Sequence, residues 1–328
     1  MKTIVAFGNP LLDTTVFVDD NLLLNKYNLK EDGQKEITKE EMQRICKDIS
    51  SYNQHQSAGG CAQNSLRVLQ WLLKKQCNAF IFGSVGKDND AVTLKNLLEK
   101  DGVQTRYIEQ NLPTGKTVAI VKGPYRSLAA YIGAAEQLSI SDLLASPDFN
   151  TLVLQSDFVY RQPKYILDFC NENNKKIIYN ISGDYVCDIC PDGVKYFAEN
   201  ADIVFGNKRE FEALAKLMSL SLNELTKNLV GNKKYKLEYG KIIVITDGSK
   251  MVTCIEKEKI ENFDVLPIEK NDIRDTTGAG DAFTGGFIAG LCMNKSIKEC
   301  AQVGCYAAYH IIKQIGCTLP DFVSDILI

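Results

Sequence analysis

Asp275-Thr-Thr-Gly-Ala-Gly-Asp-Ala-Phe283, continued by Thr284-Gly285-Gly286, is the stretch from which the rest of the chain can be read. Gly278 and Gly280 permit a tight turn, and an apolar helix begins directly after them. A helix start preceded by small residues presents amide N–H groups and forms an anion site. Asp281 places a carboxylate beside that site, where a bound phosphate would repel it. Two readings of Asp281 stay open on the residues alone: a favoured helix cap or a catalytic base. A dinucleotide fingerprint is disfavoured, because Phe283 occupies the third glycine position and the stretch lies near the C-terminus. No G-x-x-x-x-G-K-[ST] occurs, so a Walker-type phosphate loop is excluded too.

Upstream of this stretch, short apolar runs at 151–154, 177–181, 202–205 and 242–246 alternate with helical segments at 163–173, before 198 and from 208. That alternation predicts a parallel sheet covered on both faces. Two further helices are expected at 279–293 and 296–312. Nearer the N-terminus, a strand at 3–7 stops at Gly8-Asn9-Pro10, and residues 22–51 are charged and mostly helical. Gly59-Gly60 leads into a helix at 63–74, where Leu66, Leu69, Leu72 and Leu73 recur at helical spacing. A strand at 79–82 and a helix at 91–100 follow. Short strands around 105–109, 117–121 and 127–132, separated by Pro-Thr-Gly and Gly-Pro, form a cluster unlike the rest. The expected architecture is one large α/β domain over residues 1–328, with a small β insertion placed to cover a cleft.

Composition narrows the function. Of 328 residues, 45% are hydrophobic and 24% charged, which fits a globular chain and excludes wholesale disorder. Lys and Arg number 38 against 41 Asp and Glu, so a net charge of -3 gives no electrostatic case for nucleic-acid binding. No apolar run approaches the roughly 20 residues of a membrane helix, and no signal peptide is read, so an intracellular setting is expected. The eleven scattered cysteines read as reduced thiols, and Cys187 and Cys190 form the one C-x-x-C, without a partner pair at zinc spacing. With only His55 and His310, Ser-His-Asp and Cys-His catalysis are disfavoured. Carboxylates, amides, Arg, Lys or a bound cation must do the chemistry.

The 275–283 stretch resembles the C-terminal signature of the ribokinase-like carbohydrate kinases. Gly8-Asn9-Pro10-Leu11-Leu12-Asp13, Ala58-Gly59-Gly60 with Gln63-Asn64-Ser65, Arg126-Ser127-Leu128, Phe205-Gly206-Asn207 with Glu210, and Gly316-Cys317-Thr318 are similar to the adenosine kinase branch in particular. The resemblance implies a central, mainly parallel sheet between helices and a small β lid, drawn from insertions roughly within 13–37 and 105–135. It implies adenosine and ATP as substrates, Mg²⁺ as cofactor, and a cytoplasmic or nuclear monomer with no nucleic-acid or membrane partner.

Residue by residue, the resemblance makes Asp281 the general base and the amides of Gly278, Ala279 and Gly280 the anion hole, with Arg126 reaching the transferred phosphate. Asn207 and Glu210 would organise hydrated Mg²⁺, through water because that ion dehydrates reluctantly. Asn207, Thr246, Gly248 and Thr277 would line the nucleotide. Asp13 would accept both ribose hydroxyls, with Asn9, Leu11, Gly59, Gly60 and Asn64 around the sugar. Gln34, Leu128, Ala130 and Phe158 would surround the base. The chain departs from the branch at three places: Thr277 where Asn is frequent, Glu36 where an apolar contact is expected, and Cys305 where His is frequent. Another nucleoside or ribose kinase, or a non-catalytic nucleoside-binding relative, are the competing readings.

Overall fold

The computed structural model describes residues 2–31, 33–123, 125–137, 151–155, 163–172, 174–231, 240–257, 259–322, 324 and 326. In chain order the first elements are β1 (Thr3–Phe7), β2 (Leu11–Phe17), α1 (Leu22–Tyr27), β3 (Gln34–Glu36), α2 (Lys39–Asp48) and β4 (Gln54–Gly59). They are followed by α3 (Cys61–Leu72), β5 (Asn78–Gly86), α4 (Asn89–Lys100), β6 (Val103–Gln110), β7 (Gly115–Lys122) and β8 (Tyr125–Tyr131). Next are β9 (Thr151–Gln155), α5 (Pro163–Glu172), β10 (Lys176–Asn180), α6 (Val186–Ile189), α7 (Pro191–Asn200) and β11 (Ile203–Asn207). The chain continues with α8 (Lys208–Leu217), α9 (Leu222–Gly231), β12 (Ile242–Thr246), β13 (Met251–Glu256), β14 (Lys259–Asp264), α10 (Ala279–Cys292) and α11 (Ile297–Ile311).

Nine strands form the large sheet, in the order β14-β13-β12-β11-β10-β9-β1-β5-β6. Pairing is parallel from β12 through to β6, and β13 and β14 return antiparallel at one edge. The strands are apolar at successive positions because helices cover both faces. On β12, Ile242 and Val244 enter the core shared with α3, α10 and α11, while Ile243 and Ile245 enter the core shared with α7, α8 and α9. Phe205 on β11 meets Phe283 and Phe287 of α10 edge-on, at centroid distances of 6.4 and 5.2 Å. Each such buried ring contributes about 1.5–3 kcal/mol by leaving water. Those contacts fix the height at which the 275–283 stretch delivers its helix start. Gly285 sets the lateral distance, since a Cβ there would lie 2.4 Å from Ser65 O on α3.

The small sheet has the order β3-β8-β7-β2-β4. Its strands alternate, as expected where the two faces differ. Val16, Val118, Ile120 and Ala129 point to one face and form a core with Leu23, Leu24, Met42 and Ile45 of α1 and α2. Asp13, Thr117 and Ala130 are direct cross-strand partners and point to the opposite face. Two boundaries differ from the sequence expectation. The strand read at 105–109 is β6, which pairs with β5 at the edge of the large sheet. Conversely Gln54–Gly59, outside the ranges expected for the insertion, is an edge strand of the small sheet. Its polar Gln54-His55-Gln56 run carries no apolar signal, because only tertiary pairing makes it a strand.

Among the described residues no helix is long and apolar enough to cross a membrane.

Candidate active site

In open parallel sheets, loops at the carboxyl ends of the strands converge on a crevice where the strand order reverses. Here β1 lies between β5 and β9, and the chain winds outward from it in both directions. Asn9 follows β1, and Asn180, Asn207 and Thr246 end β10, β11 and β12. A small open cleft of about 80 Å³ is lined by Asn180, Asn207, Glu210, Thr246, Gly280 and Asp281, among others. Asn180 was not singled out in the sequence; its signal was a polar residue closing an apolar strand run. Gly248, expected near the nucleotide, lies in the turn beyond β12 with φ +56° and open space around its Cα.

Asp281 sits in the first turn of α10, half-buried. Asn64 Nδ2 donates to its Oδ2 at 2.9 Å, and Ser65 Oγ donates to its backbone carbonyl at 3.0 Å. Both partners come from α3, so the close α3–α10 packing aims the carboxylate. Gly278 precedes the helix with φ +73°, and a Cβ would lie 2.9 Å from Cys317 Sγ, so glycine is required twice over. Ala279 N donates to Thr276 O at 3.3 Å. The helix dipole and amides place partial positive charge beside Asp281.

Arg67, which sequence reasoning missed, underlies this arrangement. Its guanidinium is buried, donating from Nε to Asp101 Oδ2 at 2.6 Å and from one terminal nitrogen to Cys317 O at 2.9 Å and Ala58 O at 3.2 Å. The same nitrogen reaches Asn64 Oδ1 at 3.5 Å. One cation thus ties α3, the end of β4 and the 316–318 turn together beneath Asn64. A single arginine in an apolar helical run is indistinguishable in sequence from a surface charge.

Arg126 on β8 donates to Thr277 Oγ1, which donates in turn to Asp275 Oδ1. Asp275 also accepts from Thr277 N at 2.8 Å and, through Oδ2, from Gly316 N at 2.9 Å. This relay joins the small sheet to the turn before α10.

Asp13 lies directly over Gly59: a Cβ at residue 59 would fall 2.1 Å from Asp13 Oδ1. Gly60, at φ +89°, passes equally close to Asn9 O, 2.2 Å from where its Cβ would be. Burial raises the Asp13 carboxyl to about 7, against the lowering effects of the Thr117 hydrogen bond and the Arg126 charge, with Asp281 adding to the rise. Among the described residues, Asn9 Oδ1, Ser57 Oγ and Arg126 Nε are buried without a hydrogen-bond partner. Polar groups withdrawn from water without partners are costly. Ser57 pairs across the strands with Asp13, Arg126 acts on its charge, and Asn9 borders Gly60, so the three mark the surroundings of Asp13 as a candidate polar ligand site. Leu11, Leu128, Ala130 and Gln34 share the cleft-facing side of the small sheet with Asp13. Phe158 lies outside the described residues.

Asn207 and Glu210 form a capping box at the start of α8: Asn207 N donates to Glu210 Oε2 at 2.7 Å, and Glu210 N to Asn207 Oδ1 at 3.0 Å. Both nonetheless line the cleft opposite Asp281. They are hard oxygen donors, and among the described residues no group of three or more His, Cys, Asp or Glu could enclose an ion. That set fits a cation that keeps most of its water and shares ligands with phosphate, as Mg²⁺ does. Cys187, within α6, is buried, and Cys190, just after it, is half-buried. Cys305 is buried on α11.

Residues 48–322 match the family model of the pfkB family carbohydrate kinases. Adenosine kinase 2 of Arabidopsis thaliana is 32% identical, covering 97% of this chain and 96% of that protein. Adenosine kinase of Dictyostelium discoideum is 28% identical over 97% and 96%. The crystal structure of Anopheles gambiae adenosine kinase with P1,P4-di(adenosine-5) tetraphosphate superposes with a TM-score of 0.87, at 30% identity over 97% and 98% of the two chains. Schistosoma mansoni adenosine kinase with 2-fluoroadenosine gives 0.86, at 27% identity over 97% of each.

Proposed function

The chain belongs to the pfkB family of carbohydrate kinases, and from that premise we propose an ATP-dependent adenosine kinase whose site is the cleft between the two sheets. The protein transfers the γ-phosphoryl group of ATP to the 5′-hydroxyl of adenosine, giving AMP and ADP, a reaction of purine salvage. The observation that carries the site assignment is the Asn64–Asp281 hydrogen bond at the dipole-positive start of α10. It puts an oriented carboxylate where an attacking hydroxyl and an anion would meet.

Phosphoryl transfer demands positioning and charge stabilisation more than covalent help. Asp281 takes the 5′-hydroxyl proton as the O5′–phosphorus bond forms and the bond to the ADP oxygen breaks. The amides of Gly278 and Gly280, that of Ala279 once it leaves Thr276 O, and the unpartnered Arg126 Nε face the charge that develops on the migrating group. Asn64 holds Asp281, and Arg67 holds Asn64. Asp13 accepts the 2′ and 3′ hydroxyls, with the backbone of Gly59 close beneath it. Asn207 and Glu210 would hold hydrated Mg²⁺, which when bound supplies charge neutralisation at the phosphates. The small sheet acts as a lid, and the Arg126–Thr277 contact supports closure that excludes water.

The test is direct: purified protein with adenosine, ATP and Mg²⁺ yields AMP and ADP in equal amounts. No AMP under any ATP or metal concentration overturns the reading.

A further inference from the structure

Five residues, one from each strand, lie in a single row across the small sheet. Glu36 pairs with Ala130, Ala130 with Thr117, Thr117 with Asp13, and Asp13 with Ser57. Directly paired residues share a face, so Glu36 lies on the same side as Asp13. The neighbour of Glu36 confirms the direction. Lys35 turns to the other face, where its Nζ donates to Tyr27 O at 3.2 Å on α1. Strand alternation then sends Gln34 and Glu36 to the cleft.

We propose that Glu36 reads the nucleobase: its carboxylate accepts a hydrogen bond from the exocyclic amine of a 6-aminopurine and repels a 6-oxo group. The proposal rests on the adenosine kinase reading above and extends it to base selection. From Asp13 to Glu36 is three inter-strand steps, or about 14 Å. An adenosine stretched along the row measures about 9 Å from its diol oxygens to its amine, and a hydrogen bond of about 2.9 Å at each end completes the span. Between the two acids the row offers Thr117, whose side chain bonds Asp13, and Ala130, with Leu128 one pleat away, so Ala130 and Leu128 supply an apolar support under the base. The row therefore has an acceptor at each end and a platform between them. An aminopurine riboside has donors at both ends, whereas inosine and guanosine present a carbonyl oxygen to Glu36, which pushes it away.

A charged residue on a short edge strand also deters edge-to-edge pairing. That role would not distinguish one purine from another, and substrate ratios separate the two. The measurement is kcat/KM and calorimetric affinity for adenosine, purine riboside (which lacks the amine) and inosine, in the wild type, Glu36→Leu and Glu36→Gln. The wild type should favour adenosine over purine riboside by about 10- to 100-fold, the range of one charge-assisted hydrogen bond. Glu36→Leu should bring that ratio to near one by losing adenosine affinity. Glu36→Gln should recover inosine by removing the repelling charge while retaining part of the preference for adenosine. An active wild type whose adenosine to purine riboside ratio is unchanged in Glu36→Leu overturns this proposal alone. A wild type that neither binds nor phosphorylates adenosine overturns the activity as well, and with it this reading of Glu36.

Discussion

The two sheets spend the same alternation in opposite ways. On β12 of the large sheet both sets of alternate residues are buried, Ile242 and Val244 on one side, Ile243 and Ile245 on the other. On β2 of the small sheet one set, including Val16, packs against α1 and α2, while Asp13 and Leu11 turn to the cleft. A sheet apolar on both faces is a rigid support, and its function is confined to its strand ends. A sheet with one open polar face can touch substrate along whole strands. The proposed mechanism follows that division, with phosphoryl transfer at the large sheet's helix start and substrate recognition on the small sheet's face.

The sharpest challenge to this division is Asp281→Asn. Asn is nearly isosteric and can still cap a helix, so a structural role predicts normal turnover. We expect kcat to fall by about 10²–10⁴, with adenosine affinity little changed and Tm preserved. Near-normal kcat by stopped product assay would return Asp281 to helix capping.

Gly59→Ala addresses the other sheet. A Cβ only 2.1 Å from the Asp13 carboxylate must displace it. Calorimetry should show adenosine affinity reduced by about 10- to 100-fold, the worth of one charge-assisted hydrogen bond from the diol, while the fold persists. Unchanged affinity would remove Asp13 from the sugar.

pH separates affinity from stability at the same residue. With Asp13 raised to about 7, acidification below that value protonates the acceptor, so the adenosine Kd should rise about tenfold per pH unit below 7. Stability moves the other way. Because the folded state holds the proton more tightly, this group's contribution is full below the unfolded value of 3.8 and is lost as pH rises through 7. Asp13→Asn should flatten both profiles; a pH-independent wild-type Kd contradicts the assignment.

The smallest effect on activity is expected at Lys241, at the opposite end of the large sheet from the cleft. It is fully buried, its Nζ donates to Ala198 O, and burial lowers it to about 7 despite the nearby Asp202 and Glu199. The folded state then bears the full penalty of a buried cation below about pH 7 and is relieved between 7 and 10.5. Lys241→Met should leave kcat/KM unchanged, and its Tm relative to wild type should be highest at pH 6 and decline toward pH 9. A loss of activity would mean that the two ends of the large sheet are coupled.

Most of the large sheet was legible because each buried strand must be apolar, and Ile242-Ile243-Val244-Ile245 can be little else. The start of α10 was legible because Gly278 and Gly280 beside Asp281 have few other uses. β13 and β14 escaped, since edge strands such as Lys259–Asp264 are half-exposed and keep charged residues. Among the candidate site residues, short motifs single out Asp13, Asn64 and Arg126 but not Arg67 or Asn180.

Residue order alone thus carried the helix start, the layered α/β plan and the reaction class, because local turn chemistry and burial patterns are properties of neighbours in the chain. Partnership was decided only in three dimensions. That Asn64 meets Asp281 across 217 positions, that Arg126 reaches Thr277, and that Glu36 stands in line with Asp13 all depend on strand register and helix packing. Register is settled by the joint burial of distant segments, since a slip of one residue would send every cleft-facing side chain into the α1–α2 core.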